Sequence, residues 1–337
     1  MTAARARQAS GHRLLEALAA GHAWPTLIIY IVLVMMLIML SIISPSFPST
    51  FTVTSLLSTA LPLAFAAMAQ TVVILVRGID LSIGPAMSLV MVIAASLMKN
   101  APGSVAATIV LCLLIGLAIG ALNGVMVVAA RLQPIIVTLA SSSILAGLAL
   151  YIMPQPGGYI PPGLNFLSDG DFGMIPVSAV VLVAVMLLLW FPLRRSHIGQ
   201  SWYAVGGNEA GAYYSGINVN RAKFSAFLVA GLFASLGGLF LAFQTLTGDP
   251  TIGDPFTLSS IAATVIGGTV LAGGRGGALG AVGGVLVLTT VVDILFFLQV
   301  SAYYQYVFSG AIVIVALATV SLSEYIRARR LRVADER

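Results

Sequence analysis

Two carboxylates interrupt a chain that is otherwise almost wholly apolar. Asp80 follows a long apolar run, within Gly78-Ile79-Asp80-Leu81-Ser82-Ile83-Gly84-Pro85, and Asp293 lies inside another, within Thr289-Thr290-Val291-Val292-Asp293-Ile294. A charged side chain at such depth is costly unless it is paired or hydrated, which makes both residues candidates for a water-filled pathway. Asp80 has a second reading, because a carboxylate ahead of Gly-Pro can accept hydrogen bonds from the exposed N–H groups of the following helix, beside Ser82. For Asp293 the alternative is snorkelling to the outer interface, since no basic residue inside another run offers itself as a partner. Other chemistries fail on residue type or spacing. His12, His22 and His197 do not cluster, so no metal site is expected, and Cys112 stands alone, so no intrachain disulfide forms. The stretch Gly273 to Gly280 has Leu279 where a dinucleotide fingerprint needs glycine, and no Gly-Lys-Ser/Thr follows. Ser141, Ser142 and Ser143 have no nearby histidine to activate them. The chain is therefore expected to bind no cofactor and to be no enzyme.

The elements that must position these residues follow from composition. Of 337 residues, 59% are hydrophobic and 8% charged, against roughly a quarter charged in soluble domains. The expectation is an all-α, polytopic membrane protein with about ten spans, each needing about 20 apolar residues. Apolar runs lie at 26–44, 57–76, 83–98, 105–130, 135–153, 177–193, 224–243, 258–272, 278–298 and 307–322. A basic lead (1–25), a spanning region (26–323) with a long internal loop (194–223) and a basic tail (324–337) complete the organisation. The first run reads as an uncleaved span, being longer than a signal core and lacking a small-residue cleavage site. Orientation follows from the basic residues, which are retained in the cytoplasm. With the N-terminus inside, Arg77, Arg131, Arg194, Arg195, Arg221, Lys223, Arg275 and the tail all fall inside, and only Lys99 falls outside. Asp169, Asp171, Asp249 and Asp254 fall in outer loops. The net charge of +5 is thus a topology signal that points to membrane lipid and not to nucleic acid.

Gly116, Gly120 and Gly124 are echoed by Gly276, Gly280 and Gly284, in runs five apart. Two inverted five-helix halves would produce this, and so would plain close packing of small residues. The same pairing makes the third and eighth runs equivalent, and both are short and carry breakers, the eighth at Gly267-Gly268. Freed backbone in such segments must line protein or water, which makes Asp80, Ser82, Gly267, Gly268 and Asp293 the candidate pathway residues. In the internal loop, Asn208 is suited to cap a short helix that Gly216 ends, with Glu209 in its first turn. Ala210, Tyr213, Tyr214 and Ile217 recur at helical spacing as an apolar face. The helix itself carries no Lys or Arg for a lipid surface, so a groove on a cytoplasmic protein suits it better.

Three motifs in order, Gly78 to Gly84, Tyr203 to Ala210 with Ser215 to Asn218, and Ala262 to Thr269 running on to Gly276, resemble the ribose-type sugar permeases of bacterial ABC importers, in the branched-chain amino-acid/sugar permease superfamily. The resemblance implies an inner-membrane permease with both termini cytoplasmic. It implies pairing with a second permease, as homodimer or heterodimer, and receipt of a pentose or hexose from a periplasmic sugar-binding protein. A cytoplasmic ABC ATPase, using ATP and Mg, would drive it. The segment docking on that ATPase would comprise Tyr203, Gly207, Asn208, Glu209, Ala210, Tyr213, Tyr214, Gly216 and Ile217. The chain departs from the family pattern at Arg77, where a second glycine is usual, at Thr257 and Ser259, where acids are usual, and at Asp293, near which asparagine is usual. The competing readings are a branched-chain amino-acid permease of the same type and an ion-coupled secondary transporter, for which Asp293 would be the ion site.

Overall fold

The computed structural model describes residues 24–44 and 46–301, with 304, 307, 310, 311 and 314 beyond them. The basic lead, most of the tenth run and the basic tail lie outside the described residues. The helices are α1 (Trp24–Ile43), α2 (Thr50–Leu75), α3 (Ile83–Leu97), α4 (Pro102–Val128), α5 (Pro134–Ile152), α6 (Val177–Arg195), α7 (His197–Gly207), α8 (Glu209–Tyr214), α9 (Val219–Thr245), α10 (Asp254–Ile266) and α11 (Ala278–Phe297). There is no strand among the described residues. Seven of these helices, α1, α2, α4, α5, α6, α9 and α11, are long and apolar enough to cross a membrane, as the composition requires of a polytopic all-α protein.

Several helices begin earlier than their apolar runs because polar caps extend them. In α2, Ser49 Oγ accepts the Thr52 N–H at 3.2 Å while Thr52 Oγ1 accepts the Ser49 N–H at 3.1 Å, a reciprocal cap that starts the helix well before Leu57. Asn218 Oδ1 does the same for α9 through the Arg221 N–H at 2.9 Å. The loop at 194–223 is consequently mostly helix. The eighth run is corrected at both ends: α10 starts at Asp254, with Pro255 in its first turn, and stops at Ile266. It stops because Gly268 turns to φ +86°, which glycine adopts without steric cost. Within α6, residues Met186–Trp190 widen into a π-turn ahead of Pro192, whose ring crowds the carbonyl four residues back.

Burial separates two central helices from the rest. The best apolar window is 83% buried in α2 and 78% in α9, against 17–28% in α1, α4, α5 and α6, so the latter present their apolar sides outward. α2 and α9 pack on each other; α9 also packs on α3 and α4, and α2 on α10 and α11. Exchanging α2 with α9, α3 with α10 and α4 with α11 converts one set of contacts into the other, the packing expected of two related halves. The relation stops at α1, which lies on α11, and α6, which lies on α2. The glycine echo is not part of it. Gly116 and Gly231 close α4 onto α9, where an added Cβ would stand 2.4 and 2.0 Å from the facing carbonyl oxygens. Gly280 and Gly284 close α11 onto α10, and Gly276 lies outside any helix at φ +121°. Close packing is thus what these glycines serve, on unrelated partners.

Candidate coupling and transport site

The end of α2, the end of α7 and the connection between α10 and α11 cross at backbone distance. At Gly206 an added Cβ would stand 1.8 Å from the Leu75 carbonyl oxygen and 2.4 Å from the Gly274 nitrogen, and at Gly274 it would stand 2.4 Å from the Gly207 nitrogen. The Gly274 N–H donates to Leu75 O at 3.0 Å. Arg77 fastens the crossing: its Nε donates to Gly206 O at 2.8 Å and its Nη2 to Gly207 O at 3.0 Å. From the other side, the Tyr203 hydroxyl donates to Gly276 O at 3.0 Å. Burial raises the Tyr203 phenol above its ordinary pKa, against the opposing charge of Arg194, whose guanidinium lies 5.8 Å from the ring centre. The phenol therefore stays a donor at neutral pH.

From this crossing projects α8. Asn208 Oδ1 accepts the Gly211 N–H at 2.9 Å, and Gly216, at φ +81°, ends the turn after it. Glu209 is ion-paired to Lys223 of α9 at 2.8 Å. Ala210, Tyr213 and Tyr214 are exposed, and the two rings meet edge to face at 5.8 Å. The expected apolar face divides, however. Ile217 turns inward against the core, with its N–H on Ala212 O at 3.0 Å, because the chain leaves the helical path at Gly216. Tyr203 anchors the start of this projection from within, and the outward surface consists of Gly207, Asn208, Ala210, Tyr213, Tyr214, Ser215 and Gly216.

The membrane-embedded candidates separate into three places. Asp80 is buried, its Oδ1 accepting the Ser82 N–H at 2.8 Å and the Ser82 hydroxyl at 2.6 Å. Asn123 of α4 donates to Ser82 Oγ at 2.9 Å. Gln70 of α2, with its amide turned to suit both groups, donates to Asp80 O at 3.0 Å and accepts the Asp80 N–H at 3.3 Å. Asp80 thus organises the entry to α3. Asn123 and Gln70 were not singled out from the sequence, although a lone amide inside an apolar run is itself a signal. Asp293, by contrast, is half-buried on α11 with no hydrogen bond or ion pair among the described residues. Beside it Val292 and Thr289 line a cavity of about 170 Å³ shared with Thr59, Leu63, Phe256 and Ser259. Thr257 faces elsewhere, its Oγ1 accepting the Gly84 N–H at 3.2 Å, so α10 and α3 touch end to end. Gly267, at the exit of α10, packs against Gly280, where an added Cβ would stand 2.2 Å from the carbonyl oxygen. Gly268 makes the turn beyond it. Asp80 with Ser82, Gly267 with Gly268, and Asp293 are therefore three separate places.

The family model described as branched-chain amino acid transport system / permease component matches residues 52–317. The chain belongs to this permease family. The permease is 35% identical over 288 residues to the ribose import permease protein RbsC of Bacillus subtilis (strain 168), covering 85% of this chain and 89% of that one. It is 36% identical over 253 residues to the D-allose transport system permease protein AlsC of Escherichia coli (strain K12), covering 74% and 77%. It is 29% identical over 314 residues to the galactose/methyl galactoside import permease protein MglC of the same organism, covering 87% and 93%. No solved structure matches the permease significantly.

Proposed function

We propose that this permease is the membrane subunit of an ATP-driven importer that moves a monosaccharide across the bacterial inner membrane. Its cargo is a pentose or hexose delivered by a periplasmic binding protein. The chain works beside a second permease subunit, either a copy of itself or a related chain, and both its termini lie in the cytoplasm. Alternating access is driven from outside the chain, by a cytoplasmic ATPase that grips α8. The observation that carries this reading is the pair Tyr213 and Tyr214, exposed on a helix whose base is held by the Arg77 hydrogen bonds and the Glu209–Lys223 ion pair. Aromatic residues on such a projection are the usual anchors of a protein interface. Motion imposed on α8 passes through Gly206, Arg77 and Tyr203 to the end of α2 and to the α10–α11 connection. α2, α10 and α11 carry that motion to their opposite ends, where Thr59, Leu63, Phe256, Ser259, Thr289 and Val292 line the cavity beside Asp293, which the reading takes as the outer part of the pathway. An ATPase can shift the permease between two states only by binding them differently, and a stiff junction between α8 and the spans supplies that difference.

The sugar relatives favour a sugar over the amino-acid cargo in the family's description, and a binding assay with the cognate periplasmic protein decides between them. The coupling reading is tested by replacing Tyr213 and Tyr214 together with alanine in the reconstituted transporter. Both side chains are exposed, so folding should be unaffected while sugar uptake per ATP hydrolysed falls steeply. Unchanged uptake in the double variant rejects α8 as the coupling helix.

A further inference from the structure

Beside α8 a cavity of about 550 Å³ opens between the ends of α2 and α4, the α4–α5 turn and the start of α9. Its charge is unbalanced: Arg77, Arg131 and Lys223 line it against one carboxylate, Glu209. Lys223 is paired to Glu209 and Arg77 to two backbone carbonyls. Arg131 has no hydrogen bond or ion pair among the described residues, and its backbone is held at φ +54°, a conformation that non-glycine residues seldom adopt. Arg131 is exposed at the cavity, so its guanidinium is free to meet a ligand there.

The walls say what kind of anion fits. Val76, Val127, Val128, Leu132 and Phe227 supply an apolar side, and next to them Leu122, Val125, Ile135 and Ile136 are exposed on the outward faces of α4 and α5. The cavity is thus continuous with surface that faces hydrocarbon. We propose that it holds the phosphate of an anionic phospholipid, with the acyl chains lying along the exposed flank of α4 and α5. Basic pockets between transmembrane helices on the cytoplasmic side suit acidic headgroups. The first turns of α5 and α9, at Pro134 and Asn220, also reach the cavity and set the positive ends of their dipoles against the negative ends of α2 and α4, so the net positive charge comes from the side chains. A free phosphate would set its charge against the apolar wall, whereas the glycerol and acyl groups of a lipid cover that wall. The headgroup competes with Glu209 for Lys223, and so loosens the ion pair that fastens α8.

The test uses the full-length permease in nanodiscs of phosphatidylcholine with or without phosphatidylglycerol, read by native mass spectrometry of retained lipid. Wild type should retain phosphatidylglycerol in preference to phosphatidylcholine. Arg131→Asn keeps a residue tolerant of positive φ but removes the charge, and should weaken that retention about fivefold; Lys99→Asn, remote from the cavity, should not. Amide exchange across 208–216 should rise when phosphatidylglycerol is present. Equal retention of the two lipids by wild type, or undiminished preference in Arg131→Asn, overturns the site. Displacement of the lipid by millimolar inorganic phosphate overturns lipid as its occupant. Unchanged exchange with lipid bound overturns the competition for Lys223. None of these outcomes depends on the transport reading.

Discussion

Gly206 and Gly207 are adjacent, both helical at the end of α7, and the structure assigns them opposite tolerances. An alanine at Gly207 meets nothing within 4 Å, whereas one at Gly206 puts its Cβ 1.8 Å from Leu75 O. To reach even 3.0 Å the carbonyl must retreat by about 1.2 Å, which breaks its hydrogen bond from the Gly274 N–H. The helix gains up to about 1 kcal/mol from either Gly→Ala change. At Gly206 this is outweighed by overpacking, about 1–3 kcal/mol, together with the lost backbone bond, about 1 kcal/mol. Gly206→Ala should therefore cost about 1–3 kcal/mol net, and Gly207→Ala should be neutral or slightly stabilising. Thermal unfolding of the purified permease in one detergent measures the difference. Uptake per ATP in proteoliposomes shows whether opening the crossing also uncouples α8. Identical melting of the two variants would refute the claim that the chain crosses tightly at Gly206.

Three further substitutions probe the membrane-embedded carboxylates. Asp80→Leu leaves the buried Ser82 N–H without its acceptor and should cost about 1–3 kcal/mol, with Asp80→Asn costing less; wild-type melting of both would show that the Asp80 turn does not hold α3. Asp293→Cys, with Cys112 fully buried as background, should react with aqueous thiol reagents in at least one transport state, and protection in every state would remove Asp293 from the water path.

Local signals were legible wherever partners lie a few residues apart. The Asn208 cap and the Gly216 stop follow from hydrogen bonds that span three or four positions, so residue type and spacing suffice. The boundaries of α2 and α9 were missed because Ser49 and Asn218 cap from outside the apolar runs, and hydropathy does not register a cap. Asp80 was legible as a helix-entry carboxylate, but its burial and its link through Ser82 to Asn123 belong to two helices meeting. Ile217 shared the helical spacing of the tyrosines, yet one left-handed residue at Gly216 turned it inward.

Composition and the ordering of apolar runs determined that this chain is a helical membrane protein, since backbone in hydrocarbon must satisfy its own hydrogen bonds and helices do so locally. They could not determine which of its many glycines matter. Gly206 and Gly207 are indistinguishable in sequence. What separates them is the arrival of Leu75 and Gly274 from distant parts of the chain, secured by Arg77 from 129 positions away. The same holds for the basic cavity: Arg77, Arg131 and Lys223 each read as an ordinary positive residue at the end of a span. Only the packing of α2, α4 and α9 brings their charges together, because electrostatic fields add over distances in space and not over positions in sequence.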